Sequence, residues 1–265
     1  MDFKRFALIA VLLLFVAGPT FGQVAVPGKY AKGQPDKVIT VYGEDDDIDA
    51  AYELIAGYDS YAQMAANDSL EVVLGTDGTA TDSVRYQTRG IRSDSLAAME
   101  IGRVSGAEID TLSTNWMFFE SVLIDSGKSA GSDATYIRRL GAGVTSSVIA
   151  AGDADDRVCQ YFASKGERAF IHSWQAGVTS TTGTVNFQLR LYPDWRAARG
   201  TSGYTYFRVL DHVALTATQS ESEVRPLDIY LPVGSWLAVY GLGGAANSDG
   251  WARMTVHSYG NTSRQ

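Results

Sequence analysis

The feature that most restricts the fold of this chain is a two-residue alternation of apolar and polar side chains that recurs through its second half. In Thr184–Leu191 the apolar Val185, Phe187, Leu189 and Leu191 alternate with Thr184, Asn186, Gln188 and Arg190. Successive side chains of a strand point to opposite faces, so this period puts the first set in a core and the second in water. The same reading predicts strands over Ala169–Ala176, with Phe170, His172 and Trp174 on one face, and over Phe207–Ala217 through Val209, Val213 and Leu215. Further strands are expected over Asp228–Leu231, Trp236–Tyr240 and Trp251–Tyr259. Clusters of Gly, Ser, Thr and Asn at 177–183, 199–203 and 241–250 separate them. Repeated short strands without helical periodicity between them predict an all-β fold, a β-sandwich or jelly roll.

The front of the chain is less regular. Leu70–Leu74, Ser83–Arg89, Trp116–Ile124, Thr135–Leu140 and Ser146–Ala150 are candidate strands, and Ser93–Ile101 fits a helix or a strand. Ile48, Tyr52 and Ile55 recur at helical spacing behind a capping Asp47, which predicts a short helix over Asp47–Tyr58 near the N-terminus. The expected organisation is four segments: a signal peptide over 1–22, an N-terminal extension with that helix over 23–68, an acidic β-rich unit over 69–156 and a β-sandwich unit over 157–265.

Residues 1–22 have the layout of a secretory signal peptide: basic Lys4 and Arg5, an apolar run from Phe6 to Ala17, and small Thr20 and Gly22 before Gln23. Such a run is shorter than the roughly 20 residues that span a bilayer, no Cys follows it as in a lipoprotein, and no other stretch reads as a membrane span. The mature chain is therefore expected outside the cell, or in a virion if it is viral, with no membrane contact once the signal is removed. That compartment is oxidising, yet the chain has one cysteine, Cys159, so it has no internal disulfide. Asn67-Asp68-Ser69 and Asn261-Thr262-Ser263 match the glycosylation sequon.

Charge is distributed unevenly. Residues 23–156 hold 22 acids and 10 bases, and residues 157–265 hold 7 acids and 10 bases. The formal net charge of −8 argues against a nucleic-acid partner, because phosphate must be met by an excess of Lys and Arg.

Few residues point to chemistry. Asp45, Asp47 and Asp49, and also Asp153 and Asp155, are candidate oxygen ligands for Ca²⁺; the run lacks the Gly and Glu of an EF-hand loop, and solvated or capping charge is the alternative. No cofactor is required by any motif. His172, His212 and His257 fall in three different expected strands, and Cys159 sits among apolar residues as a small buried hydrophobe. There is no nucleophile elbow, phosphate loop or dinucleotide fingerprint, so no catalytic residue is expected and the chain reads as a non-enzyme. Tyr192, Trp195 and Tyr204 with Arg196 and Arg199 cluster around one loop; they suit a ligand platform for sugar rings, a subunit interface or the sealed end of a core.

Several segments resemble a family of β-sandwich virion proteins of tailed bacteriophages, subunits that decorate capsids or associate with tails. They are Ile149-Ala150-Ala151-Gly152-Asp153, Tyr161-Phe162-Ala163-Ser164-Lys165-Gly166, Ala169-Phe170-Ile171-His172-Ser173-Trp174, Leu189-Arg190-Leu191, Phe207-Arg208-Val209, and Pro226-Leu227 leading to Leu231-Pro232-Val233-Gly234. The resemblance implies a non-enzymatic subunit that associates with itself or with other virion or surface subunits, and it carries over no catalytic residue. The signal peptide departs from that family, which leaves open an unusual virus or an exported cellular surface structure.

Together these readings predict a structural subunit that builds or decorates an extracellular or virion assembly. Arg190, Arg196, Arg199 and Arg208 would meet the 44–49 acidic run of a neighbouring copy in a head-to-tail contact. The alternative is a secreted carbohydrate-binding module or adhesin that uses the loop aromatics on glycans.

Overall fold

The computed structural model describes residues 36–58, 61–64, 66–75, 83–106, 108–126, 134–140, 145–199, 206–217, 221–244 and 247–260. The expected signal peptide, Tyr204 and the Asn261 sequon lie outside the described residues. The chain begins with β1 (Lys37–Ile48) and β2 (Glu53–Leu54). It continues through β3 (Leu70–Leu74), β4 (Ser83–Arg92), β5 (Ala97–Ser105), β6 (Ile109–Thr111), β7 (Trp116–Ser126), β8 (Thr135–Arg139) and β9 (Thr145–Ile149). It ends with β10 (Gln160–Phe162), β11 (Glu167–Ser180), β12 (Thr184–Tyr192), a 3-10 turn at Trp195–Arg199, β13 (Arg208–Thr216), β14 (Arg225–Leu231), β15 (Trp236–Gly243) and β16 (Ser248–Gly260). The fold is all-β, and its strand pairs are antiparallel.

Two sandwiches are nested within one compact unit, Pro35–Gln265. In the first, the sheet β1-β16-β11-β14 faces the sheet β10-β15-β12-β13, to which β2 adds beside β15. Ile39, Ile171, Trp174, Met254 and Val256 from one sheet pack on Val185, Phe187, Leu189, Leu237 and Val239 from the other. In the second, β6-β3-β8-β9 faces β5-β4-β7, and Leu70, Val72, Ile137 and Ile149 pack on Val84, Tyr86, Val104, Phe119 and Val122. The second sandwich is inserted between β2 and β10 of the first. Residues 37–54 are therefore not an extension: β1 pairs with β16 from Lys37–Ser258 to Gly43–Ala252, so the two ends of the described chain close the first sandwich.

The helix expected over Asp47–Tyr58 does not form. Strand β1 runs through Ile48, and after a bend β2 pairs Leu54 with Tyr240 and Glu53 with Gly241. Ile48 and Ile55 are fully buried, as the periodicity required, but they converge from two strand segments on the space above Gly241, where a Cβ would lie 2.8 Å from Ile55 Cδ1. Local helical spacing loses to a ladder and a core that exist only once β15 and β16 are in place.

Strand β11 corrects a second expectation. A bulge between Ile171 and Ser173 shifts its register against both neighbours. A bulge reverses the inward–outward phase downstream. Ile171 and Trp174 both reach the core while His172 is exposed, so Phe170, His172 and Trp174 do not share a face. His172 instead stacks on His257 of β16 at 4.3 Å between ring centroids.

A third apolar cluster joins the sandwiches. Ile91 and Phe118 of the inserted sandwich pack with Phe162, Tyr192, Trp195 and Trp236 of the first. Phe118 stacks on Phe162 at 5.0 Å and meets the Trp195 ring edge-on at 5.7 Å. Each such buried side chain contributes on the order of 1.5–3 kcal/mol.

Candidate functional site

The aromatic and basic residues singled out around residue 195 are mostly interior. Trp195 is buried against Phe118, and its indole N–H donates to the Ser235 carbonyl at 2.8 Å. Tyr192 is buried and stacks on Trp236 at 4.5 Å. The Arg190 guanidinium lies over the rings of Tyr52, Phe207 and Tyr240, at 4.4, 4.3 and 4.3 Å, and its Nε donates to Gln188 Oε1. Alternation placed Arg190 in water; the outer face of β12 is instead roofed by aromatic rings at this end. Arg199 lies over Phe118 at 4.5 Å, donates to Asn67 Oδ1 at 2.9 Å and bonds the Met117 carbonyl. It thus ties the 3-10 turn to the inserted sandwich. Arg196 is exposed and paired with Asp194, and Arg208 is exposed on β13. Trp195 and Tyr192 do not offer an open platform, and Arg190 and Arg199 are committed inside their own chain rather than to a neighbouring acidic run.

The two acidic runs do meet, but around a cation of the chain. Arg157 bridges Glu44 at 3.0 Å and Asp153 at 2.5 Å, and its backbone N–H donates to Asp155 Oδ1. Asp45 is buried and accepts the Asp47 N–H, and Asp49 is exposed, its carbonyl taken by the Gly243 N–H. Asp45, Asp47 and Asp49 therefore do not converge with Asp153 and Asp155 into one ligand shell. Among the described residues no group of three or more His, Cys, Asp or Glu gathers closely enough to share an ion. Cys159 is buried and free, and burial pushes its thiol far above the ordinary value.

Two carboxylates are sealed between the sandwiches: Asp156, which closes the acidic run 153–156, and Glu120, which the sequence had not singled out. Asp156 is fully buried, accepting the Val122 N–H and the Ser147 hydroxyl, each at 3.2 Å. Burial pushes its carboxyl up to about 8 despite those bonds. Burial likewise pushes Glu120 up to about 7, against the lowering field of Arg89. Beside them the Gln160 amide donates to the Glu120 carbonyl and to the Tyr61 hydroxyl, and the Phe119 N–H donates to Gln63 Oε1. These groups form a polar seam in which the Gln160 NH₂ and the Asp156 carboxylate find partners, as buried polar atoms must to avoid their desolvation cost, while Gln160 Oε1 has none among the described residues.

The outside of the molecule is defined by sheet edges. Large apolar side chains exposed within strands fall on edge strands: Val38 and Tyr42 on β1, Met99 and Ile101 on β5, Ile109 on β6, Val209 on β13 and Tyr230 on β14, with Tyr136 of β8 the exception. Of the ambiguous Ser93–Ile101 stretch, residues 97–101 belong to strand β5 and residues 93–96 to the turn before it, and the strand's phase is opposite to its hydrophobicity. Met99 and Ile101 point outward while Glu100 and Gly102 point inward. Glu100 is satisfied there by the Ser113 N–H, the Ser113 hydroxyl and the Thr114 N–H. A Cβ on Gly102 would lie 2.3 Å from the Tyr86 hydroxyl, so that position admits only glycine while Tyr86 bonds Asp110 at 2.8 Å. A groove of about 830 Å³ runs beside the start of β5, between Leu96–Met99 and the Ser164–Glu167 turn.

No family model and no curated protein matches the chain. Among solved structures it is similar to that of infectious bursal disease virus Gt strain, with 10% identity, a TM-score of 0.26, and coverage of 91% of this chain and 74% of the other. It is also similar to the VP2 subviral particle of that virus, with 11% identity, a TM-score of 0.21 and coverage of 96% and 78%. T=1 particles derived from the virus match with 10% identity, a TM-score of 0.25 and coverage of 96% and 75%. None of these three is a tailed-phage protein. Overlaps this weak leave the role of the chain to be argued from its own residues.

Proposed function

We propose that the protein is a non-enzymatic structural subunit that associates with itself or with other subunits to build or decorate a virion or an extracellular assembly. The observation that carries this reading is the placement of exposed large apolar side chains on edge strands of open sheets. An edge strand presents unpaired N–H and C=O groups that template pairing with another chain, and apolar side chains beside them are the groups that association buries. The aromatics that would serve a glycan-binding reading are spent on the junction between the sandwiches, Trp195 and Tyr192 above all. The test is analytical ultracentrifugation of the purified mature chain, with negative-stain microscopy of the same sample. Defined oligomers, particles or filaments support the reading. A protein that remains monomeric at about 1 mM, where a contact worth only about 4 kcal/mol is already half formed, overturns it.

A further inference from the structure

All seven of the other described edge strands are interrupted or short: β10 has three residues, and β9 skips Ser146 against β8. β1 shifts register between Asp45 and Ile48, β13 is opposite a shift at Leu189/Arg190, and β7 shifts three times against β4. β14 contains Pro226 and a left-handed Asp228 at φ 56°, and β6 has three residues. Bulges, prolines and short length are the devices that keep sheet edges from pairing. β5 has none of them: it pairs with β4 from Ser105 to Ala97 without a register shift.

We propose that β5 is the contact strand between two copies of this chain, which add their β5 edges antiparallel about a two-fold axis and join two three-stranded sheets into one of six. The proposal rests on the reading that the chain is an assembling subunit and names the surface it uses.

Among the described strands none pairs with the outer edge of β5. The Arg92 N–H donates to the Leu96 carbonyl, and the Thr88 hydroxyl donates to the Glu100 carbonyl. Even-numbered residues therefore turn their main-chain groups toward β4, and Ala97, Met99 and Ile101 turn theirs outward. At Arg103 the outward N–H is met by the Asp110 carboxylate at 3.0 Å, which ends the open stretch.

Charge selects the antiparallel arrangement and a second copy as the occupant. One end of the edge carries exposed Arg103 and Glu108; the other carries exposed Asp94 and Lys165. An antiparallel pair with Met99 opposite the partner's Ile101 brings the Arg103–Glu108 end of each copy to the Asp94–Lys165 end of the other. Asp94 is already held by its own Arg92 at 2.7 Å, so Glu108 and the partner's Lys165 are the complementary charges, twice over. A parallel pair would oppose Arg103 to Arg103. Met99 and Ile101 lie between these ends, so the same pairing lays them against the partner's Met99 and Ile101 as cross-strand apolar neighbours. The isologous contact closes after two copies.

Two variants test this in the full chain. Ile101→Pro removes an N–H that faces away from β4, so it leaves the β4–β5 ladder whole and blocks strand addition. Met99→Lys puts a charge on an already exposed edge position. Wild-type protein is expected to double its mass with rising concentration in the ultracentrifuge, with exchange of the Ala97, Met99 and Ile101 amides slowing in parallel. Each variant is expected to raise the dissociation constant at least about tenfold, with circular dichroism of the monomer unchanged. If assembly persists undiminished in both variants and those amides are not slowed, the β5 contact is wrong while the reading of an assembling subunit stands. If wild type never associates, both fall. Protection of β5 that appears only when a different protein is added assigns the edge to a foreign strand and overturns the self-pairing.

Discussion

The side-chain amide of Gln160 donates a hydrogen bond to the backbone carbonyl of Glu120 at 3.0 Å, from the first strand after the insertion to a strand inside it. The same amide bonds the Tyr61 hydroxyl, so one side chain holds three segments of the seam. Gln160→Leu keeps the volume and leaves those acceptors dry. The expected cost is about 1–3 kcal/mol, read as a fall in Tm of about 2–10 °C. An unchanged Tm would show that the seam is not a determinant of stability.

The buried acids predict that the fold weakens as pH rises from about 4 to about 8. In the unfolded chain both titrate near their ordinary values of about 4, whereas in the native state Asp156 holds its proton up to about 8 and Glu120 up to about 7. Between those limits the native state binds more protons than the unfolded state, so stability falls as pH rises, by up to about 1.4 kcal/mol per pH unit for each group. Asp156→Asn keeps an acceptor for the Val122 N–H and a partner for Ser147. It is expected to flatten the profile between pH about 4 and about 8. Urea midpoints measured across that range check it; equal slopes for wild type and variant would refute the assignment.

Trp195 is a joint, and its truncation is expected to be a stability mutation. Trp195→Ala removes the contact with Phe118 and the bond to Ser235, at a cost of about 3–5 kcal/mol. Trp195→Phe keeps most of the ring, and its cost is expected at about 1 kcal/mol, the value of the lost N–H bond. Chemical denaturation of the two variants separates the terms.

Arg190 depends on its planar shape. Three rings face its guanidinium within 4.4 Å, a set that a compact, strongly hydrated ammonium fills poorly. Arg190→Lys is expected to lower stability by about 1–2 kcal/mol although the charge is retained. Thermal melts at low and high salt should show the same loss, because the site is buried and weakly screened.

Gly102 fixes the phase of β5. Gly102→Ala would place a Cβ 2.3 Å from the Tyr86 hydroxyl and is expected to cost about 1–3 kcal/mol through overpacking. Gly102→Ala combined with Tyr86→Phe should recover little of that loss, since the ring Cζ at 2.4 Å and Asp110 Oδ2 at 2.5 Å still stand in the way. Full recovery would mean that the hydroxyl alone sets the position.

The strands with plain alternation were legible from the residues alone: Val185, Phe187 and Leu189 are core because water excludes every second side chain of a half-buried strand. The failures have specific causes. The Asp47–Tyr58 helix was outcompeted by pairing with strands some 190 residues further on, which no local window contains. The shared face of Phe170, His172 and Trp174 was broken by a single bulge. At the candidate site, Trp195 and Arg190 were recognisable as unusual residues, but whether their rings and charges face water depends on Phe118 and Tyr52, which lie in other segments.

Composition and periodicity thus determined that the chain is all-β, without an internal disulfide, and dominated by sandwich-type strands. Only the tertiary structure decided that one sandwich is inserted in the other, that Asp156 and Glu120 are sealed at their junction, and that β5 turns Met99 and Ile101 outward. The reason is physical. Alternation depends on neighbours one or two residues apart, whereas nesting, burial of charge and strand phase depend on partners that come close only when the chain has closed.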